Sequence, residues 1–417
     1  MSKDIIYRNR NHVFVALCFI FLGAYTEVGL SVGGGYIPSF FTILFCGISY
    51  LLIRPPIYLR DLRLLFFFML FVFASALLAP NYNDINSRFV GVLQISIAFA
   101  VFVATFKVLT HIGPDFMARF LLWMLRLLVI LTITEYFGLT TEISDSVRSI
   151  IYASSNYGLY QADARDLSFG TSIRPKVFTT EPSLVAIGFF ILVVGVVASS
   201  KSLMLLIEVA IYIFLQYYFL NSPIVLLSLV AFVWVLSNRY GMIVYGLSFI
   251  LLMPFLYVLG DVAFERMERL SIANIIDAFV SYDLKHVSSE MLRLVFPYIA
   301  VLDVFNVNPF TGLGISGKRS LELYSTITPD YVIAFGNNAF ATIFIYFGLI
   351  GVVCLFSIMY FYLRAYVVSF TILLGVVFLF MQTMGGFETV RFWVYLAFLV
   401  SFFATKGSDS RHTRFHN

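Results

Sequence analysis

Apolar runs near the length of a membrane crossing follow one another along this chain, and a soluble core has no reason to lay such runs end to end. A helix needs about 20 consecutive apolar residues to cross a hydrocarbon core. The runs 13–33, 38–53, 62–79, 89–109, 116–137, 182–199, 202–220, 223–237, 240–260, 338–360, 365–383 and 387–404 reach or approach that length. Composition agrees, since 60% of the residues are hydrophobic, only 12% are charged, and mean hydropathy is +0.93. The fold class expected is an all-α polytopic membrane protein with about 12 transmembrane helices, forming a single integral membrane domain over 1–417. "LNSP" at 220–223 reads either as a tight outer turn or as a break in one helical system, and the apolar piece 291–307 reads as part of a loop.

The basic residues orient these runs. Lys3, Arg8 and Arg10 precede the first; Arg54, Arg60 and Arg63 lie between the second and third; Lys107 and Arg119 flank the connection after the fourth. Lys201, Arg239 and Arg364 follow the sixth, eighth and tenth, and Lys406, Arg411 and Arg414 close the chain. Positive charge on the cytoplasmic side then places both termini inside and two long segments, 138–181 and 261–337, outside. The net charge of +4 is explained by topology, and with no basic and aromatic reading motif no nucleic acid partner is expected. Cys18, Cys46 and Cys354 all lie in apolar runs without close spacing, so neither a zinc site nor a disulfide framework is indicated. The opening "MSKDIIYRNRNH" leads into a run longer than a signal h-region, which is therefore read as the first membrane helix.

Three strips on the outer side carry candidate chemistry. In "RPKVFTTEPSLVA", Arg174 can hold phosphate oxygens with its planar fork, and Lys176 adds diffuse attraction; an interfacial anchor reaching toward headgroups is the plainer alternative. In "SSEMLRLVFPYIAVLDVFNVNPFTGLGISG", Arg293 projects from an apolar stretch and needs an anionic partner, either a ligand or a carboxylate such as Glu181 or Glu290. Met267, Leu270, Ile275, Ile276, Phe279 and Val280 give the preceding stretch an amphipathic helical pattern. Gly312, Gly314 and Gly317, followed by Lys318 and Arg319, suggest a turn that brings backbone donors and positive charge to a phosphate, with ordinary solvated charges as the plainer alternative for Lys318 and Arg319. In "FGNNAFATIFIYFGLIG", Asn337 and Asn338 stand where a helix begins; each can cap it, orient a sugar hydroxyl, or do both.

These strips, in this order, resemble the bacterial O-antigen polymerase and ligase superfamily, membrane glycosyltransferases that use lipid-linked sugars. The likeness covers the span layout and the motif order over roughly 170–360. It implies a bacterial inner-membrane enzyme with a periplasmic site, in which Arg174 and Arg293 engage the donor diphosphate and Asn337 and Asn338 match polar positions of the site; Lys176 and Arg319, from the residues themselves, are the further substrate-contact candidates. Donor and acceptor would be undecaprenyl-diphosphate-linked oligosaccharides, membrane lipids would surround the enzyme, and a chain-length regulator could assist it. No cofactor is expected. Asn337 occupies a position that is histidine in the ligase branch; asparagine is no general base at neutral pH, which favours the polymerase branch. Glu181 is the first candidate base because it shares the Arg174 segment, although it can equally cap a helix N-terminus, and His286, Glu290 and Asp330 are the alternatives. No metal-ligand spacing or serine nucleophile motif is present, so direct, inverting, metal-independent transfer is expected. The rival readings are a ligase that delivers glycan to lipid A-core and a transporter of lipid-linked oligosaccharide.

Overall fold

The computed structural model describes residues 10–32, 35–80, 85–153, 174–200, 202–240, 273, 276, 295–315, 338–367 and 369–404. The described elements are helices α1 (Arg10–Thr26), α2 (Phe40–Ile53), α3 (Leu59–Leu78), α4 (Ile85–His111), α5 (Pro114–Tyr136), α6 (Thr141–Ile151), α7 (Pro182–Ser199), α8 (Leu203–Leu220), α9 (Pro223–Tyr240), α10 (Phe296–Val307), α11 (Ala339–Leu363), α12 (Phe370–Thr383) and α13 (Val390–Phe402). Strands β1 (Leu30–Val32) and β2 (Gly35–Ile37) join α1 to α2 as a small antiparallel ribbon. The protein is thus an all-α, multi-pass membrane protein, with six described helices long and apolar enough to cross a bilayer: α3, α4, α5, α7, α8 and α11. Shorter apolar helices are α1, α2, α9, α10, α12 and α13.

Two differences from the sequence expectation have local causes. The first run ends at Thr26 and not at residue 33, because Glu27 turns left-handed at φ 50° and the chain then enters the ribbon. The piece assigned to a loop at 291–307 contains α10, whose 12 residues rise only about 18 Å, short of a crossing. The predicted run 240–260 lies outside the described residues.

Helices α7 and α13 occupy the centre, and each is apolar around almost its whole circumference, as a helix enclosed by others must be. Trp393 of α13 is enclosed by aromatic rings from α3 and α4: Phe68 stacks on Phe99 at 3.6 Å between centroids, and Phe99 meets the indole edge-on at 5.0 Å. At the end that the basic residues place inside, Lys107 is a buried cation rather than a solvated flank. It pairs with Asp61 at 3.1 Å, and Tyr362 donates to the same carboxylate at 2.8 Å. This joins α3, α4 and α11.

Helix α11 is broken at Gly348, which has φ 60° and ψ −167°. A break in a buried helix frees backbone groups that need partners. The glycine turn after α10 supplies them: Leu313 and Gly314 donate to the carbonyls of Ile345 and Tyr346 at 2.8 and 3.0 Å, while Leu349 and Ile350 donate to those of Pro309 and Phe310 at 2.9 and 3.1 Å. The turn is a splice for α11. The donors of Leu313 and Gly314, expected to approach a phosphate, are occupied in this way.

Candidate functional site at one end of the bundle

The end opposite Asp61 gathers the C-termini of α1, α5 and α12 with the N-termini of α7 and α13. Between them lies a cleft of about 190 Å³ whose polar lining comes from Glu27, Glu181, Ser183, Thr383, Thr389 and Arg391. Arg391, in the first turn of α13, is 6% exposed. Such a cation needs partners in a low dielectric, and the end of α1 provides them. Its Nη1 lies 3.1 Å from Glu27 Oε2, and its Nε donates to the carbonyl of Ala24 at 2.8 Å, one of the acceptors left unpaired by the last helical turn. Ser39 donates to the other Glu27 oxygen at 3.0 Å, so Glu27 is a fixed counter-charge.

The segment 174–181 reaches the cleft through a different set of supports. Glu135, in the last turn of α5, accepts the backbone N–H groups of Lys176 and Val177 at 2.9 and 2.8 Å. Val177 and Phe178 then take positive φ of 38° and 64°, a costly conformation for two side-chain-bearing residues in succession. Arg148 of α6 holds the turn from below, donating through Nε to Thr179 O at 2.7 Å and through Nη2 to Thr180 O at 3.2 Å. Tyr25 and Tyr152 donate to Val177 O and Thr26 O at 2.9 and 2.8 Å, tying the same turn to α1. Burial pushes the Tyr152 phenol up to about 12, so it stays a neutral donor. Glu181 follows as the residue before α7, where the helix dipole is positive, and Ser183 donates to its carboxylate.

The sequence candidates therefore fall into distinct positions. Glu181 lines the cleft. Arg174 is half-buried at the start of the same segment, and Lys176 is buried with its Nζ 3.7 Å from Asp145 of α6. Asn338 is fully buried and caps α11: its Oδ1 accepts from Ala341 N at 3.0 Å and its Nδ2 donates to Gln382 at 2.7 Å. Both halves of that amide serve the capping role, and Ala339 N binds Met384 O at 3.0 Å, beside the cleft. Arg293, Arg319, Asn337, His286, Glu290 and Asp330 lie outside the described residues. Among the described residues, no three His, Cys, Asp or Glu side chains are grouped to hold a metal ion.

Sequence reading missed Arg391, Glu27, Glu135 and Arg148. A usable signal existed for three of them. Arg391 falls inside the apolar run 387–404 and Glu135 inside 116–137, and an ionisable residue within a spanning run is a functional candidate by default. Glu27 gave the same signal in 13–33, whereas nothing local marks Arg148 as buried. No protein-family model matches the chain, and no curated protein matches it significantly.

Proposed function

We propose that the protein is a glycosyltransferase of the bacterial inner membrane, an O-antigen polymerase acting on the periplasmic side. In this reading the twelve-span layout has both termini in the cytoplasm, with 138–181 and 261–337 outside. The growing glycan passes from polyprenyl diphosphate to the nonreducing end of another lipid-linked repeat. The acceptor hydroxyl attacks the anomeric carbon, its proton goes to Glu181, and the bond from that carbon to the diphosphate oxygen breaks, inverting the centre. Arg174 and Arg293 carry the charge that develops on the leaving diphosphate, so no metal is required.

The observation that carries this reading is one cleft holding both an outward carboxylate, Glu181, and a buried cation, Arg391, at the bundle end where the first long segment returns. Arg391 is fixed by Glu27 and Ala24, so it sets the field of the cleft wall and leaves diphosphate capture to the other arginines. The test is reconstitution in proteoliposomes with a purified undecaprenyl-diphosphate-linked repeat as the only glycan. Longer lipid-linked products are expected without added metal. Transfer only to added lipid A-core would replace polymerase with ligase, and movement of unchanged substrate across the bilayer without bond formation would replace it with transport.

A further inference from the structure

Helix α6 has three faces, and only one of them is fully buried against the protein. At about 100° per residue, Ser144 and Arg148, with Tyr152 just beyond, fall within one arc, and all three are buried. The next arc of about 100° carries Ile143, Val147, Ile150 and Ile151, and the last carries Glu142, Asp145, Ser146 and Ser149. The apolar arc is turned mainly outward: Ile143 is 59% exposed and Ile150 is 76% exposed, while Val147 and Ile151 at its edge toward the bundle are half-buried. The usual amphipathic arrangement is reversed, because the face against the bundle is polar and hydrogen-bonded, through Arg148 to Thr179 and Thr180.

The level of the helix supplies the reason. It starts five residues after Tyr136, the last residue of the crossing helix α5. The connection carries exposed Phe137 and Leu139, and Tyr136, Phe137, Tyr218 and Phe219 form an aromatic group where α5 and α8 end, with Tyr136 and Phe219 centroids 4.8 Å apart. Such a group marks the boundary between headgroups and acyl chains. A helix at that boundary, packed against a bundle, has three neighbours: protein, lipid and water. We infer that α6 lies in the outer leaflet interface, with Ile143, Val147, Ile150 and Ile151 seated among lipid chains, Glu142, Asp145 and Ser149 toward water, and Arg148 toward the bundle. The bilayer thereby holds the helix whose Arg148 fixes the turn before Glu181. This seating does not depend on the proposed reaction.

The test uses the full chain in nanodiscs, with the accessible Cys18 and Cys354 replaced by serine, buried Cys46 retained, and one cysteine introduced at Ile143, Ile150, Glu142 or Ser149 and labelled with an environment-sensitive fluorophore. Phospholipids brominated along the acyl chain should quench labels at Ile143 and Ile150 at least about twofold more than labels at Glu142 and Ser149, with aqueous iodide giving the reverse order. Iodide quenching at all four positions would overturn the inference by placing the helix in water. Resistance of Ile143 and Ile150 to both quenchers would also overturn it, since a second copy or another protein would then cover that face. Circular dichroism and gel filtration of each labelled variant identify those that retain the fold, and two positions per face keep the comparison intact if one fails.

Discussion

Gly312 and Gly348 meet backbone to backbone: a Cβ on Gly348 would lie 2.5 Å from Gly312 N, and a Cβ on Gly312 would lie 2.6 Å from Gly348 N. Both have positive φ, 68° and 60°, and Gly348 occupies a region of backbone space reserved essentially for glycine. The glycine turn and the break in α11 are therefore two halves of one joint.

Alanine at either position should cost about 1–3 kcal/mol from backbone strain alone, with more from the clash, because the obstructing atoms are main chain and have nowhere to move. Thermal unfolding in detergent checks this. Gly47→Ala is the control, since nothing lies within 4 Å of the place its new methyl group would take and its helix gains propensity. Equal behaviour of Gly348→Ala and Gly47→Ala would refute the joint.

Glu181→Gln keeps the size and a hydrogen-bonding oxygen for Ser183 but cannot take a proton. With the fold retained, chain formation should fall on the order of 100-fold while binding of the lipid-linked donor is unchanged. Wild-type turnover would move the base to Asp330, Glu290 or His286.

Replacing Arg174 or Arg293 with alanine should shorten or abolish the glycan products at normal protein abundance. Lysine should restore only part, because it keeps the charge and loses the planar fork. Product length distributions on gels, normalised to the amount of protein in the membrane, read this directly; full-length products from both alanine variants would exclude these side chains as the donor's holders.

The membrane helices were legible because apolar run length depends on little besides local sequence; α2, α5, α7 and α8 lie close to their predicted ranges. The site was legible only in part. Glu181 stood out because it sits in a compact strip with Arg174. Arg391 and Glu27 stand near opposite ends of the chain, and only the packing of α13 against α1 makes them a pair. The same limit explains the glycine turn: its free backbone donors beside Lys318 and Arg319 suggested phosphate, yet its partner is a helix break at Gly348 that "FIYFGLIG" does not announce, since glycine is common inside membrane helices.

Arg391→Ala leaves Glu27 without its cation and strips a donor from Ala24 O. Breaking a largely buried pair in this way typically costs about 3–5 kcal/mol. Glu27→Gln combined with Arg391→Met should cost less than Arg391→Ala alone, because no unpaired charge remains. A double-mutant cycle by thermal unfolding gives the coupling, and strictly additive losses would show that the two residues act independently.

In the proposed reaction, Arg148 positions Glu181. It touches no cleft surface, but its guanidinium binds two consecutive carbonyls, Thr179 and Thr180, immediately before Glu181, and it is 2% exposed. Arg148→Ala leaves those carbonyls unpaired and frees a turn that already carries the strain of Val177 and Phe178. Lysine can replace one of the two bonds, though not both. The expected order of turnover is therefore wild type, then Arg148→Lys, then Arg148→Ala, with the KM for the lipid-linked donor little changed, since a misplaced base slows the chemical step more than it weakens binding. A purely structural role would instead lower the amount of folded protein and leave turnover per folded molecule at the wild-type value, so rates normalised to folded enzyme separate the two cases.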